Sequence, residues 1–255
     1  MANVPITAGL LIIGDEILSG RTRDANIATV AGFLGDRGID LREVRIVGDD
    51  PEAIIAAVNA LRGANSAVIT TGGIGPTHDD ITAEAIAAAF SVALVEDERA
   101  VLALRERYGD DALVPARLRM ARIPVGAELI VNPVSAAPGF SIGNVHVLAG
   151  VPQIMEAMLA ELAPRLGLGV RVESRTFAVP AGEGVYAAPL AILQKTFPGV
   201  SIGSYPKMGP SGYRSEIVLR SRDAHLLESA AVAVEALLAD LAVEIVDDPE
   251  RTKAP

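Results

Sequence analysis

The 255-residue sequence has no cysteine, no tryptophan and only three histidines. The absence of cysteine excludes disulfide bonds, thiolate nucleophiles and cysteine-based zinc sites. The three histidines, His78, His146 and His225, are far apart in the sequence, which argues against a histidine-rich zinc site. Aromatic residues make up only 4% of the chain and hydrophobic residues 50%, so the core must be built from Ala, Val, Leu and Ile. That composition is typical of helices packed on a parallel sheet.

Positive charge and long apolar runs are also scarce. The 22 Lys and Arg residues face 32 Asp and Glu residues, which gives a net charge of -10. Repulsion by this charge argues against nucleic-acid and membrane partners. No stretch approaches the ~20 apolar residues that span a bilayer, and no basic segment precedes the N-terminal apolar run, so we expect a cytoplasmic protein. A small anionic ligand would need backbone N–H groups or a metal ion to bind.

Apolar runs of strand length alternate with helical patterns in the first part of the chain. Strands are predicted at 6–13, 41–47 and 66–71, and each is followed by a helical pattern. Asp24 and Asp50 are predicted to cap the first two helices. This βαβαβ order predicts an α/β fold, with a mostly parallel sheet flanked by helices and ligand sites at the carboxyl ends of the strands.

A different pattern follows residue 168. Segments of strand and helix character come in the order βαββαβ, which is the order of ferredoxin-like domains, and the last strand is predicted at 242–246. The predicted organisation is a main domain at 1–168, a small α+β domain at 169–248 and a tail at 249–255.

The segment TTGGIGPTHDDIT follows the third predicted strand. Gly72, Gly73 and Gly75 permit positive φ and close approach of a ligand, and the helix that follows offers free N–H groups to an anion. The segment lacks both the G-x-G-x-x-G spacing of dinucleotide-binding folds and the lysine of a P-loop. Asp80 could simply cap the helix. Because one aspartate suffices as a cap, the adjacent Asp79 favours a role for at least one of the two carboxylates at a metal or polar ligand.

The segment GDEILSG follows the first predicted strand. Asp15 and Glu16 come directly after the strand, where a carboxylate can bind a metal, act as a general base or remain as solvated loop charge. Because both polar loops leave carboxyl ends of strands in one sheet, we expect them to line one cleft. Asp49, beside the capping Asp50, is either functional or ordinary loop charge.

Five segments together resemble motifs of the competence/damage-inducible protein A (CinA) family, whose N-terminal part is a molybdopterin-binding domain of the MoaB/Mog type. They are GDEILSGRTRDAN, VGDDPEAI, TTGGIGPTHDDIT, NPVSAAPGF and LAGVPQIM. The similarity covers nearly the whole chain. It does not include the separate C-terminal nicotinamide-nucleotide amidohydrolase domain of full-length family members, so that activity is not expected here.

The resemblance implies a small-molecule nucleotide or pterin as ligand, with molybdopterin itself possible, and metal-dependent cleavage of the pyrophosphate of ADP-ribose or FAD. It implies catalytic roles for Asp80, Asp49 and Glu16, and a divalent cation, Mg or Co, on Asp15 and Asp80. The residues expected to bind the substrate are Ser19, Thr71, Gly72, Gly73, Gly75, Thr77, Asn132, Gly139, Gly150 and Pro152. The alternative is a molybdopterin- or nucleotide-binding module, or a relative of the molybdopterin adenylyl transferases, without hydrolytic activity. We also expect a homo-oligomer.

Two positions depart from the pattern of the family. Ser135 stands where the family has glycine in N-x-x-G-x-A-P-G, and Ala149 stands where it has proline in L-P-G-x-P. Both positions belong to the predicted ligand wall, so both bear on which ligand the chain accepts.

Overall fold

The computed structural model describes residues 5–209 and 212–246 and divides into two compact units. The first unit ends at Val170 and the second begins at Arg171. Each unit has its own hydrophobic core. Within the described ranges, none of the helices is both long and apolar enough to cross a lipid bilayer.

The first unit alternates strands and helices along the chain. Its strands are β1 (Thr7–Ile13), β2 (Asp40–Val47), β3 (Ala67–Thr71), β4 (Leu94–Glu96), β5 (Arg122–Pro124), β6 (Glu128–Ile130), β7 (Gly139–Ile142) and β8 (Val145–Leu148). Its helices are α1 (Asp15–Leu18), α2 (Asn26–Asp36), α3 (Pro51–Ala64), α4 (Thr82–Phe90), α5 (Glu98–Tyr108), α6 (Pro115–Leu118) and α7 (Pro152–Leu162). Short 3-10 turns are formed by Asp110–Ala112, Arg119–Ala121 and Ala163–Arg165.

Six of these strands form one sheet in the order β2-β1-β3-β8-β7-β6. β2, β1, β3 and β8 run parallel, and β7 is antiparallel to both of its neighbours. The prediction of a mostly parallel sheet flanked by helices is therefore confirmed. Because parallel strands end at the same edge of a sheet, the segments that follow β1, β2, β3 and β8 meet at that edge.

The first strand shows why the sheet lies between two layers of helices. Along β1, Ala8, Leu10 and Ile12 pack into one core, whereas Leu11 and Ile13 pack into the other. Successive side chains of a strand point to opposite faces, so a strand that is apolar on both faces must be covered on both. Buried residues of α2 and α7 cover the first face, and buried residues of α3, α4 and α5 cover the second.

Two aspartates fix where the helices start next to this edge. Asp24 Oδ1 accepts a hydrogen bond from the N–H of Ile27 at 2.9 Å, in the first turn of α2. Asp50 Oδ1 accepts one from the N–H of Ala53 at 2.7 Å, in the first turn of α3. The predicted cap Asp50 is confirmed, whereas the N-cap residue of α2 is Ala25 and Asp24, one residue before it, supplies the side-chain acceptor. Each aspartate satisfies a backbone N–H that the helix itself leaves without a partner.

The second unit contains β9 (Glu173–Val179), α8 (Ala187–Thr196), β10 (Ser201–Gly209), β11 (Gly212–Ser221) and α9 (Ala224–Asp240). Its sheet has the order β10-β11-β9, and β11 is antiparallel to both neighbours. β9 and β10 are thus parallel strands that are joined through α8 and separated by β11, which is the split βαβ arrangement. Buried side chains of the strands and of both helices form one core.

The strand predicted at 242–246 is wrong for the described residues. A single antiparallel bridge joins Val246 to Ala178 in place of a strand. The turn after α9 uses the start of the predicted segment, because Ala242 has a φ of 52° and its N–H donates to the carbonyl of Ala239. Few residues are then left to pair with β9. Residues 247 and 248 of the predicted small domain and the predicted tail at 249–255 lie outside the described residues.

Candidate functional site

A cavity of about 480 Å³ lies at the edge of the main sheet where β1, β3 and β8 end. The segments that follow these three strands supply most of its wall, and the segments before β5 and β7 supply the rest. The lining residues are Glu16, Thr22, Ile74, Gly75, Pro76, Asp80, Met120, Asn132, Ser135, Ala137, Ala149, Gly150, Val151, Pro152 and Ile154. The two polar loops that follow β1 and β3 thus meet in one cleft, as their positions after the strands predict.

The glycines after β3 allow this loop to pass close to the neighbouring backbone. Gly72 has a φ of 105°, and a Cβ added there would lie 2.1 Å from the carbonyl oxygen of Ile13. Gly73 has a φ of 65°, and a Cβ there would lie 2.2 Å from the hydroxyl oxygen of Thr82. The N–H of Gly72 donates to the carbonyl of Leu148 at 3.2 Å, which ties the loop to β8. Only glycine fits at these two positions without a shift of the backbone or of Thr82.

Asp80 organises the glycine loop. Its Oδ1 accepts the N–H of Gly75 at 2.7 Å, and its Oδ2 accepts the N–H of Thr77 at 2.8 Å together with the Thr77 hydroxyl. A Cβ added to Gly75 would lie 2.6 Å from Asp80 Oδ2. The residue before α4 is Ile81, and Asp80 makes no hydrogen bond to that helix. The alternative that Asp80 caps the helix is therefore wrong, because its carboxylate is used within the loop.

The hydrogen bonds to Asp80 and to β8 occupy backbone N–H groups of the glycine loop that could otherwise bind phosphate oxygens. The N–H groups of Gly75 and Thr77 both donate to Asp80, and the N–H of Gly72 donates to β8. A backbone N–H that already has a good acceptor offers little to an added anion. The glycine loop therefore shapes the cavity more than it supplies donors to it.

Glu16 lies on α1, a four-residue helix where the sequence predicts a loop. Its carboxylate packs against the backbone of Gly14, and a Cβ added to Gly14 would lie 2.4 Å from Glu16 Oε2. Among the described residues, nothing donates a hydrogen bond to this carboxylate. Glu16 is thus a cavity-lining acid whose oxygens are free to interact with water or a ligand.

Asp15 and Asp49 form a pair at the ends of β1 and β2. The N–H of Asp15 donates to Asp49 Oδ2 at 3.0 Å, and the N–H of Asp49 donates to Asp15 Oδ1 at 3.4 Å. Burial raises the pKa of Asp49 above its usual value of 3.8, and the charges of Asp15, Glu16 and Asp79 raise it further, against the lowering effect of the Asp15 hydrogen bond. Neither member of the pair lines the cavity. Of the two predicted metal ligands, the structure places Asp80 in the cavity wall and Asp15 outside it.

Four of the ten predicted substrate-binding residues line the cavity, namely Gly75, Asn132, Gly150 and Pro152. Asn132 is almost fully buried and holds its own loop, because its side chain accepts the N–H groups of Val134 and Ser135 and donates to the carbonyl of Ala137. Pro152 is the first residue of α7, so the start of that helix is part of the wall.

The other six predicted substrate-binding residues do not line the cavity. The shape of the glycine loop depends on Gly72, Gly73 and Thr77. The Ser19 hydroxyl donates to the carbonyl of Glu16 at 3.3 Å at the end of α1. Thr71 is buried at the end of β3. Gly139 allows β7 to approach β8, since a Cβ there would lie 2.2 Å from the carbonyl oxygen of Val147.

Sequence reasoning missed Asn26 at the start of α2. This residue is only 4% exposed, and its Nδ2 donates to the carbonyl of Gly150 at 2.8 Å. It therefore connects α2 to the segment after β8 that lines the cavity. The Asp-x-Asn spacing in GDEILSGRTRDAN is the sequence signal that marks Asn26. Met120 and Ile154 also line the cavity, and no polar motif marks their positions.

No group of three or more His, Asp or Glu side chains among the described residues is arranged to hold a metal ion. His78 is almost fully exposed, and its Nδ1 lies 4.0 Å from Asp79 Oδ1. His146 is a buried residue of β8, and its Nδ1 lies 2.9 Å from the hydroxyl oxygen of Ser141 on β7. Burial, followed by the charge of Arg165, lowers the pKa of His146 to about 4.

Comparison with known families and proteins adds independent information about the chain. Residues 9–167 match the family described as a probable molybdopterin binding domain, and residues 171–247 match the FAD synthase middle domain. A protein of Thermococcus kodakarensis is 36% identical over 249 residues, which cover 89% of this chain and 98% of that protein.

Two further comparisons connect the chain to CinA proteins. A CinA-like protein of Syntrophus aciditrophicus is 37% identical over 212 residues, which cover 78% of this chain and 50% of that protein. The chain thus spans about half the length of that relative. The crystal structure of the protein CinA from Thermoplasma acidophilum, whose function is described as unknown, superimposes with a TM-score of 0.60 at 37% identity and covers 63% of this chain and 98% of that one.

Proposed function

The chain belongs to the family of CinA-like proteins with a molybdopterin-binding domain, and we propose that it is a metal-dependent hydrolase that cleaves the pyrophosphate of a nucleotide such as ADP-ribose or FAD. One observation carries the proposal. The unpaired carboxylate of Glu16 lines the same cavity as the glycine loop that Asp80 organises. A carboxylate that can take a proton from water therefore lies in the wall of a cavity that can hold a ligand.

The cavity has the size and character of a small-molecule site. Its volume falls within the range of roughly 300–1,000 Å³ that is usual for such sites. Ile74, Met120, Val151 and Ile154 give it apolar walls against which a flat ring can pack. The start of α7 at Pro152 adds the partial positive charge of a helix N-terminus, which favours a phosphate.

The proposed reaction adds one water molecule across a P–O–P bond. ADP-ribose would give AMP and ribose 5-phosphate, and FAD would give AMP and FMN. Glu16 would take the proton of the attacking water and leave its oxygen to bond to phosphorus. Between the two candidates for this role, Glu16 is better placed than Asp49, because Asp49 already accepts the N–H of Asp15 and lies outside the cavity lining. Asp49 would act by holding Asp15 and the start of α1 in position.

The carboxylates at this edge of the sheet suit a hard divalent cation. Mg²⁺ typically uses one or two carboxylates and completes its shell with water and substrate phosphates. Asp80, in the cavity wall, would be one protein ligand through the lone pairs that its hydrogen bonds to Gly75 and Thr77 leave free, and Asp15, which lies outside the wall, would be the second. When bound, the ion would draw charge from the phosphate oxygens and make the phosphorus easier to attack.

The second candidate function is a binding module without hydrolytic activity, for a nucleotide or for molybdopterin. The hydrogen bonds of Asp80 favour this alternative, because they give the carboxylate a complete structural role without any metal. A relative of the molybdopterin adenylyl transferases would use the same cavity.

A thermal-shift screen combined with a hydrolysis assay tests the proposal. The chain is mixed with ADP-ribose, FAD, NAD or a molybdopterin surrogate, each with Mg²⁺, with Co²⁺ and with a chelator. We expect ADP-ribose or FAD to raise the Tm and to yield AMP only with metal. A raised Tm without AMP would assign the binding module instead. If none of these compounds raises the Tm or is cleaved, the proposed function is wrong.

A further inference from the structure

Arg119 is a cationic side chain next to the glycine loop, and no motif in the sequence marks it. Its Nη2 donates to the backbone carbonyl of Asp80 at 3.2 Å. It lines a small recess that shares Ile74, Gly75, Asp80 and Met120 with the main cavity. The guanidinium is therefore anchored at the residue that organises the loop, directly beside the proposed ligand site.

The charge of Arg119 is only partly compensated within the protein. Its one acidic neighbour among the described residues is Glu84, whose Oε1 lies 3.6 Å from Arg119 Nη2. The same oxygen lies 2.6 Å from Arg122 Nη1, so Arg122 makes the close ion pair. Arg119 Nε is buried without a partner and cannot reach a ligand, but Nη1 has no hydrogen-bond partner among the described residues and is not a buried unsatisfied atom. Two arginines thus share one carboxylate, and Arg119 keeps Nη1 as a free donor.

Four carboxylates near the edge of the sheet carry the opposite charge. Asp15, Glu16 and Asp79 all raise the pKa of Asp49 by their charge, which shows that these four carboxylates form one negative region. A phosphate group would be repelled there unless a cation were bound. The glycine-loop amides of Gly75 and Thr77 are already used by Asp80. Arg119 is therefore a cationic hydrogen-bond donor beside the loop that is available to a phosphate group.

We infer that Arg119, in the recess beside the cavity, binds a phosphate group of the anionic ligand. A guanidinium presents its donors in a planar fork that matches phosphate oxygens, and such charge-assisted hydrogen bonds are stronger than neutral ones. The inference rests on the proposed function, since it requires a ligand that carries phosphate. It also orients that ligand, with its phosphates towards Arg119 and the glycine loop.

Arg105 offers a charge-matched control, because its exposed side chain pairs with the exposed Asp110 and lines neither the cavity nor the recess. Arg122 does not serve as a control, since it lines the same recess and its removal would leave Glu84 to pair with Arg119 alone. The experiment compares the unmodified chain, Arg119→Gln and Arg105→Gln. Binding of ADP-ribose and of adenosine, which has no phosphate, is measured by calorimetry in the presence of a chelator. We expect Arg119→Gln to weaken ADP-ribose binding by about 10-fold or more and to leave adenosine binding unchanged. Arg105→Gln should bind both compounds like the unmodified chain.

The outcomes separate the inference from the function on which it rests. Equal loss of ADP-ribose and adenosine binding in Arg119→Gln would show a structural role and overturn the inference. Undiminished ADP-ribose binding in that variant would overturn the inference and leave the proposed function intact. If the unmodified chain binds neither ADP-ribose nor FAD, with or without metal, both fail. If Arg119→Gln folds poorly, Arg119→Lys is used, and it should retain adenosine binding and lose part of the ADP-ribose affinity.

Discussion

The N–H of Asp15 donates to the carboxylate of Asp49, and the N–H of Asp49 donates back to the carboxylate of Asp15. This reciprocal pair holds the ends of β1 and β2 together next to the cavity. It also places two like charges close to each other. The pair therefore stabilises the local backbone through hydrogen bonds while the ionised carboxylates repel.

The first prediction concerns Asp49→Asn. Burial and neighbouring carboxylates raise the pKa of Asp49 above 3.8 in the folded protein, so ionisation of Asp49 lowers stability as the pH rises through the folded pKa. Asparagine keeps an oxygen that accepts the N–H of Asp15 and removes the charge. We expect a higher Tm than that of the unmodified chain at pH 7, in chelator, and a smaller difference as the pH falls towards 3.8. A lower Tm at pH 7 would contradict this account.

The second prediction concerns His146, whose pKa of about 4 lies below the usual value of 6.5 because the ring is buried and Arg165 is nearby. Between these two values the unfolded chain binds a proton that the folded chain does not, so stability contributed by the neutral ring is present above pH 6.5 and is lost as the pH falls towards 4. Urea unfolding at pH 7.5 and pH 5 should show a smaller acid loss in His146→Gln than in the unmodified chain. Equal losses would contradict the prediction.

The third prediction compares two glycines. Gly72→Ala places a methyl group against the carbonyl oxygen of Ile13 at a φ of 105°, and should destabilise the fold by about 2 kcal/mol or more. Gly63→Ala is the control, since it adds a methyl group in open space within α3 and should stabilise by about 0.5–1 kcal/mol. Urea denaturation measures both free energies of unfolding. A Gly72→Ala variant as stable as the unmodified chain would refute the close approach.

The fourth prediction follows from the three hydrogen bonds of Asp80. Asparagine has one carbonyl oxygen and would turn an NH₂ donor towards donors of Gly75 or Thr77, so Asp80→Asn should lose about 1–2 kcal/mol of unfolding free energy. Asp79→Asn, at an exposed neighbouring position, should change stability little. If the two variants are equally stable, Asp80 does not hold the loop together.

Much of the main fold follows from local signals. The helix-start signals at Asp24 and Asp50 and the apolar runs of β1 and β3 are short-range patterns, and they predict both the elements and the edge where the polar loops meet. The strand predicted at 242–246 does not follow from local signals in this way, because it depends on where the turn after α9 ends. That turn is decided by packing rather than by residue preference.

The candidate site was predictable only where a polar motif follows a strand. Glu16 and the glycine loop stand in such places, and the structure puts both in the cavity wall. The sequence does not reveal the role of the Asp80 carboxylate inside the loop, since two of its three partners are backbone N–H groups. Arg119 was missed because the short turn that carries it has no periodic pattern, and its relation to Asp80 arises from tertiary packing across 39 positions of the chain.

The most direct test of the account is the rate of AMP release from ADP-ribose by the unmodified chain and by Glu16→Gln, at saturating Mg²⁺ or Co²⁺. Glutamine preserves the size of the side chain and cannot take a proton from water. The account predicts metal-dependent AMP release by the unmodified chain and a rate at least about 10²-fold lower for Glu16→Gln, with unchanged ADP-ribose binding and Tm. Undiminished release by a folded Glu16→Gln variant, or no release by the unmodified chain with either metal, would contradict it.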